Sequence, residues 1–267
     1  MKLLDAIDSG IYTHELGLSF YHDYTMEEFR QYMGLHEIPT KVHKRYPYME
    51  LQAGDVDWEA QGKVAPVKNQ GACGSCWAFS AIGSVETCNA IKTGSLMQFS
   101  EQELVDCSGS FGNDGCDGGW MDSAFDYIIA NGIAAESDYK YYARDMKCSK
   151  DKYTRYHPIN GYYDVPENDN EKLYAALSVS TISVAVDAED SAFYFYKGGI
   201  IMKCGTDLDH GVLIVASGTD GSTNYWKIKN SWGTSWGEAG HVRIKRDTTK
   251  GPGVCGIALS ASYPFKN

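Results

Sequence analysis

Eleven residues, Gln70-Gly71-Ala72-Cys73-Gly74-Ser75-Cys76-Trp77-Ala78-Phe79-Ser80, constrain this chain more than any other stretch. A small-residue loop runs into an apolar segment that continues to Thr93 and meets Gly94, the pattern of a helix with a glycine stop. Cys76 therefore stands at a helix start. The first N–H groups of a helix are unpaired and carry roughly half a positive charge. A thiolate is favoured there over a thiol, which predicts a lowered pKa for Cys76. Gln70 can return its side-chain amide to the same point. A nucleophile beside an amide donor is half of an acyl-transfer site.

The second half lies far downstream. Asp209-His210-Gly211 opens the apolar run Val212-Leu213-Ile214-Val215, and Asn230-Ser231-Trp232-Gly233, with Trp236-Gly237, follows Trp226-Lys227-Ile228-Lys229. His210 and Asn230 stand 134 and 154 residues beyond Cys76. With these motifs in this order, the chain resembles the papain family of cysteine peptidases, and within it the cathepsin L type, from about Val56 to Pro264. The resemblance implies an α+β, papain-like two-lobed fold with the active site in the cleft between a mainly helical lobe and a β-rich, barrel-like one. The chain's own patterning runs the same way. Helical signals dominate before about residue 160, and strand signals follow at 181–186, 213–216, 225–229 and 241–245. The division expected is a partial pro-segment and linker over 1–52 and a peptidase domain over 53–267, with lobes at about 60–160 and 161–267.

The same resemblance assigns roles. Cys76 is the nucleophile and His210 the general base, resting as a thiolate–imidazolium pair. Asn230 orients the imidazole, Gln70 and the Cys76 N–H form the oxyanion hole, and Trp232 covers the pair from water. The Gly118-Gly119 edge is expected to pair with an extended substrate. Trp120, Met121, Ala185, Leu208 and Gly211 are expected to line an S2 pocket with Ser260 at its base, and Asp209 to point toward the catalytic edge. That pocket favours an apolar P2 residue. The family pattern pairs Cys73 with Cys116, Cys107 with Cys148 and Cys204 with Cys255. Cys88 is left over, at helical spacing from Trp77, Ala81 and Val85, and reads as a buried core thiol. Cys73-x-x-Cys76 also fits a zinc or redox motif, but a second zinc ligand pair and a βαβ context are missing. No metal or organic cofactor is expected. The function implied is a cysteine endopeptidase in its proenzyme form. A catalytically silent homologue acting as a binding protein should have lost one of Gln70, Cys76, His210 or Asn230. A transpeptidase would carry the same four.

Charge and cysteine content narrow the setting. The net charge is −11, with no basic cluster to meet phosphates, which argues against nucleic acid as a partner. The longest clearly apolar run, Gly211 to Ala216, is too short to span a membrane. Eight cysteines suit an oxidising compartment: lysosome, vacuole or the secreted space. The partners expected are protein or peptide substrates and the chain's own pro-segment, on a monomer. Gly17 to Asp23 and Thr25 to Phe29 resemble the second half of a cathepsin-L-type pro-segment, with Thr25 and Glu28 as a capping box for a helix ending near Gly34. Lys2 to Ser9 reads as the remnant of a longer pro-helix, so the chain is expected to be a fragment. Maturation is expected after Gln52, with Leu51 in the S2 pocket. Ser100 should cap a helix with Glu103 at its third position, and another should run from Trp120-Met121 to Asn131-Gly132.

Four of the seven histidines, His14, His22, His36 and His43, precede residue 52. Solvated surface is the default for them. Protonating all four would take residues 1–51 from −3 to +1 against a remainder at −8, which opposes release in acid. Only local burial of one histidine would reverse that sign. The chain departs from the family pattern at Glu59, at Ala216-Ser217-Gly218 and at His241.

Overall fold

Most of the first helix of the mature region is buried, which explains why its apolar residues show no single face. The computed structural model describes Ile7, Gly10 and residues 12–18, 24–35 and 54–267. The expected cut after Gln52, most of the stretch 2–9, and His22, His36 and His43 lie outside the described residues. Helix α1 (Met26–Arg30) starts at Thr25, whose hydroxyl accepts the Glu28 N–H at 3.2 Å while the Glu28 carboxylate accepts the Thr25 N–H at 2.7 Å. Helix α2 (Cys76–Thr93) is buried from Cys76 to Ala90 and stops at Gly94, whose φ of 77° suits glycine. Helix α3 (Glu101–Cys107) is capped by Ser100, which accepts the Glu103 N–H at 3.0 Å. The return half of that box is missing. The Glu103 carboxylate instead takes Arg155, the Tyr127 hydroxyl and the Ala134 N–H. Helices α4 (Met121–Asn131), α5 (Asn170–Leu177) and α6 (Ser191–Tyr194) follow.

Two sheets form. Strand β1 (Glu15–Leu16), from the N-terminal segment, runs antiparallel to β4 (Tyr196–Gly198), while β2 (Gly161–Asp164), β3 (Ile182–Val186), β5 (Ile200–Ile201), β6 (His210–Asp220), β7 (Thr223–Lys229), β8 (His241–Lys245) and β9 (Ala261–Phe265) make a seven-stranded sheet in the order β2-β9-β3-β6-β7-β8-β5. The fold is α+β, and every pairing in the larger sheet is antiparallel except β5 with β8. Strands β2 and β9, at one end of the larger sheet, and the short β1, β4 and β5 carry little alternation and were not legible in the sequence. One apolar cluster surrounds α2 and α4, with Trp77, Phe125 and Ile128 at its centre. Another fills the sheet side around Val184, Ile214, Trp226 and Trp236. Ser80 ties α2 to the sheet: its hydroxyl donates to the Val212 carbonyl at 2.7 Å, and its carbonyl accepts the Ser183 hydroxyl at 3.0 Å. That contact fixes the start of α2 against the start of β6.

Disulfides join Cys73 to Cys116, Cys107 to Cys148 and Cys204 to Cys255. Cys88 is free and buried. Two departures from the family pattern meet in space. The Glu59 carboxylate accepts His241 Nε2 at 2.8 Å and Lys227 Nζ at 2.5 Å. Burial alone would raise Glu59, but these two partners outweigh it and hold the carboxyl at about 2.

Candidate active site

Cys76 is the first residue of α2 and is fully buried. Ser75 occupies the N-cap, yet its hydroxyl makes no cap bond and shares a 2.5 Å hydrogen bond with the Tyr141 hydroxyl instead. The helix N-terminus is thereby left for another anionic group. His210 opens β6, and Asn230 directly follows β7. The neighbouring antiparallel strands carry the two side chains to one place, where His210 Nε2 and Asn230 Oδ1 lie 2.8 Å apart. The same Oδ1 accepts the Ser231 N–H at 2.8 Å. That bond fixes which amide atom is oxygen, so His210 must donate from Nε2. Its Nδ1 is then a bare acceptor, buried and without a hydrogen-bond partner among the described residues. The Trp232 ring lies over the imidazole, centroids 4.7 Å apart.

Gln70 is held on every side. Its backbone N–H donates to the Ser231 carbonyl at 2.8 Å, and its Oε1 accepts the Ser231 hydroxyl at 2.6 Å. Its Nε2 donates to the carbonyls of Tyr32 at 2.8 Å and Cys73 at 3.0 Å. The amide read from sequence as an oxyanion donor thus grips a carbonyl of the N-terminal segment.

That segment threads the site. Phe29 packs edge-on against Trp232 at 5.4 Å between centroids. Gly34 donates its N–H toward the Cys76 sulfur, and its carbonyl accepts the Gly119 N–H at 2.9 Å. A Cβ on Gly34 would overlap the Gly74 carbonyl, so only glycine fits. Leu35 donates its N–H to the Asp209 carbonyl at 3.1 Å, and its side chain joins the apolar cluster containing Trp120, Met121 and Ala185, with Leu208 at its margin. Gly211 pairs with Ala185 across the sheet, and Met121 Sδ stands 3.2 Å from where a Gly211 Cβ would lie. The Ser260 carbonyl accepts the Ala185 N–H at 3.0 Å. The residues read as an S2 pocket therefore gather around Leu35. Gly118 has φ +127°, and a side chain at Gly119 would strike the Trp77 ring. The Asp209 carboxylate caps the Ala188 and Glu189 N–H groups at 2.8 and 3.0 Å, and burial pushes it up to about 7 despite them.

Burial acts on both members of the expected pair. Burial pushes the Cys76 thiol up to about 11, against hydrogen bonds from the Gly211, Gly34 and Trp77 N–H groups. Burial also pushes His210 down to about 4, against its bond to Asn230. Burial thus works against both charged forms, and the covering segment disfavours the thiolate–imidazolium pair expected of the open site. Desolvation under Tyr32–Leu35 outweighs the helix terminus, and no local sequence pattern reports it. Sequence reasoning also missed Tyr141, whose hydroxyl donates to the Gln70 carbonyl at 2.7 Å. It lies in an irregular loop with no motif around it.

The model of the papain family cysteine proteases matches residues 53–265. The chain belongs to the papain family. It is 49% identical to the probable cysteine protease RD21C of Arabidopsis thaliana over 96% of this chain and 58% of that protein. It is 46% identical to the oryzain beta chain of Oryza sativa subsp. japonica over 94% of this chain and 56% of that one. The chain thus spans less than three fifths of either relative. Among solved structures, the proform of the ragweed pollen allergen Amb a 11 cysteine protease matches with TM-score 0.89 at 35% identity, over 100% of this chain and 85% of that one. Digestive procathepsin L 3 of Tenebrio molitor larval midgut matches with TM-score 0.85 at 40% identity, over 99% and 86%. The bromelain protease of Ananas comosus with the E64 inhibitor matches with TM-score 0.76 at 42% identity, over 80% and 99%. No helix among the described residues is long and apolar enough to cross a membrane.

Proposed function

We propose that the chain is the pro-form of a cysteine endopeptidase, with residues 1–52 as inhibitory segment and 53–267 as peptidase domain. The observation that carries this reading is the peptide already lying in the cleft. Its backbone is held by Gln70, Gly119 and Asp209, and its leucine fills the apolar pocket. A substrate whose acyl part enters that pocket would run from the pocket past Cys76 toward Trp232. The covering segment runs the other way, from Phe29 at Trp232 to Leu35 in the pocket, so it fills the cleft without presenting a scissile bond.

Once the segment leaves, water returns and the thiol proton passes to His210 Nδ1, the nitrogen left free by the Asn230 bond. The Cys76 sulfur adds to the substrate carbonyl carbon, and the resulting oxyanion takes donors from Gln70 Nε2 and the Cys76 N–H. His210 returns the proton to the leaving amine as the C–N bond breaks. Water, deprotonated by His210, then cleaves the thioester and regenerates the thiol. Three disulfides suit an oxidising compartment, and we place the enzyme in the lysosome, the vacuole or outside the cell, as a monomer.

Two predictions arise here. Leu35 in the pocket points to an apolar P2 preference, since burying a leucine or phenylalanine there contributes roughly 1.5–3 kcal/mol. An arginine would leave its charge unpaired against Ser260. In the processed enzyme, kcat/KM for a Phe-Arg peptide amide should exceed that for Arg-Arg by at least about tenfold. Equal rates would refute the pocket.

The second concerns acid. His14 precedes β1, is 8% exposed, and its Nε2 lies 2.9 Å from the Ala192 carbonyl. Burial lowers its pKa from the ordinary 6.5, against the Ala192 carbonyl and the Asp190 charge. The released segment therefore binds a proton that the docked one resists, and docking weakens as pH falls below 6.5. Asp209 works in the opposite sense, so the prediction is a difference. Self-processing of the full chain should accelerate between pH 7 and pH 5 by up to about tenfold more in wild type than in His14→Phe. Identical acceleration in both would remove His14 as a contributor.

A further inference from the structure

We propose that Glu189 selects substrates on the leaving-group side of the cleft, where its carboxylate binds an arginine or lysine side chain within two residues of the scissile bond. The proposal rests on the peptidase reading above, because only a substrate running past Cys76 brings its leaving part to this wall.

The site is seen with a guanidinium in it. Arg30 ends α1, and its Nε and Nη2 donate to Glu189 Oε1 and Oε2 at 2.8 and 3.1 Å. Two parallel bonds of this kind match a planar guanidinium to a carboxylate, and suit the point charge of a lysine less well. Phe29, the residue before, packs edge-on against Tyr194 at 4.3 Å and Trp232 at 5.4 Å between centroids. The pair therefore lies at the Trp232 end of the segment, away from Leu35 and its pocket. A substrate runs the opposite way through the cleft, so its leaving part arrives where Arg30 sits. The Arg30 side chain is 65% exposed and that of Glu189 25%. The guanidinium is open to solvent while the carboxylate is held by protein, the arrangement of a receptor and a replaceable occupant.

The carboxylate is fixed from behind. Glu189 lies between β3 and α6. Its N–H donates to Asp209 Oδ2 at 3.0 Å, and the Ala188 N–H donates to Oδ1 at 2.8 Å. Asp209 directly precedes His210, so a single residue ties this loop to the proposed general base. The neighbouring acids have other tasks. Asp187 accepts the N–H groups of Asp190 and Asp207 at 3.1 and 3.0 Å, and Asp190 accepts those of Ala192 and Gly205, both at 2.8 Å. Those carboxylates hold the loop together, while that of Glu189 is turned to the covering segment. Once Arg30 leaves, Glu189 presents a directed pair of acceptors that attracts a basic side chain and repels an acidic one. An exposed pair is worth little by attraction alone, so attraction and repulsion together give a discrimination of about tenfold.

The test measures kcat/KM of the processed enzyme on internally quenched peptides that share leucine at P2. They differ only in carrying arginine, glutamine or glutamate at the first or the second residue after the scissile bond. The arginine peptide should be cleaved about tenfold faster than the glutamate peptide at one of those positions, with glutamine between, and added salt should shrink the ratio. Glu189→Gln should bring the ratio to within about twofold of unity, and Glu189→Lys should invert it. Each reading is a ratio of two substrates on one enzyme, so a variant that folds in poor yield still gives it. Should one variant not fold at all, the other decides alone. Equal rates for arginine and glutamate at both positions in wild type would overturn the proposal, as would a preference for arginine that survives in either variant. A wild type that cleaves none of these peptides, nor the Phe-Arg peptide amide, would instead refute the peptidase reading, and the proposal with it.

Discussion

Replacing Cys76 by alanine is expected to lower kcat/KM by about 10⁵-fold or more and to stop self-processing, leaving the full chain intact. In the proposed mechanism the sulfur forms the covalent bond, and residual rates in such variants come from binding and oxyanion donors alone. The side chain is fully buried, so the exchange removes one atom from a packed site without adding any polar group. The thermal midpoint should shift by only a few degrees. Hydrolysis of a Phe-Arg peptide amide, followed alongside the mass of the chain, measures both effects. Activity within tenfold of wild type would mean that another residue is the nucleophile.

The second large effect is a gain. Gly34→Val should unmask the full-length chain at neutral pH. The added carbons would overlap the Gly74 carbonyl, which is backbone and cannot turn aside, and would press on the Cys76 sulfur. Overpacking of this kind costs about 2–3 kcal/mol, which corresponds to roughly 30–150-fold weaker closure. Unprocessed Gly34→Val, purified at pH 7, should therefore hydrolyse the test peptide at least about 30-fold faster than unprocessed wild type. Full inhibition in that variant would show that the segment is held elsewhere and that its path over the sulfur is incidental.

These two sites differ in how legible they were. Cys76, His210, Asn230 and Gln70 sit in short motifs through which the chain resembles its family, and the Cys76–Thr93 helix has its apolar run and glycine stop written in the chain. The closure is another matter. Gly34 and Leu35 carry no motif of their own, and their meaning comes from Gly74, Gly119 and Asp209, which are distant in sequence. The burial that works against a charged Cys76 and His210 has the same origin, because it depends on what covers the site. Glu59 and His241 read as two separate departures until the fold brought them to 2.8 Å. Ser100 and Glu103 showed a capping pattern, but only its local half formed, since Arg155 drew the carboxylate away. Local patterning therefore reported helix starts well. Pairings between distant segments needed the fold.

The account's central claim is that Cys76 is a nucleophile whose reactivity is withheld by the segment above it. The direct measurement is iodoacetamide labelling at pH 5.5, with the labelled residue mapped, on the full chain and on the processed enzyme. Ordinary thiols are almost wholly protonated at that pH and label slowly. Burial keeps Cys88 up at about 12, so it should stay unlabelled in both forms. Cys76 should label rapidly in the processed enzyme, where water and His210 can stabilise the thiolate, and hardly at all in the full chain. Equal labelling of Cys76 in the two forms, or labelling of Cys88 at a comparable rate, would contradict the account.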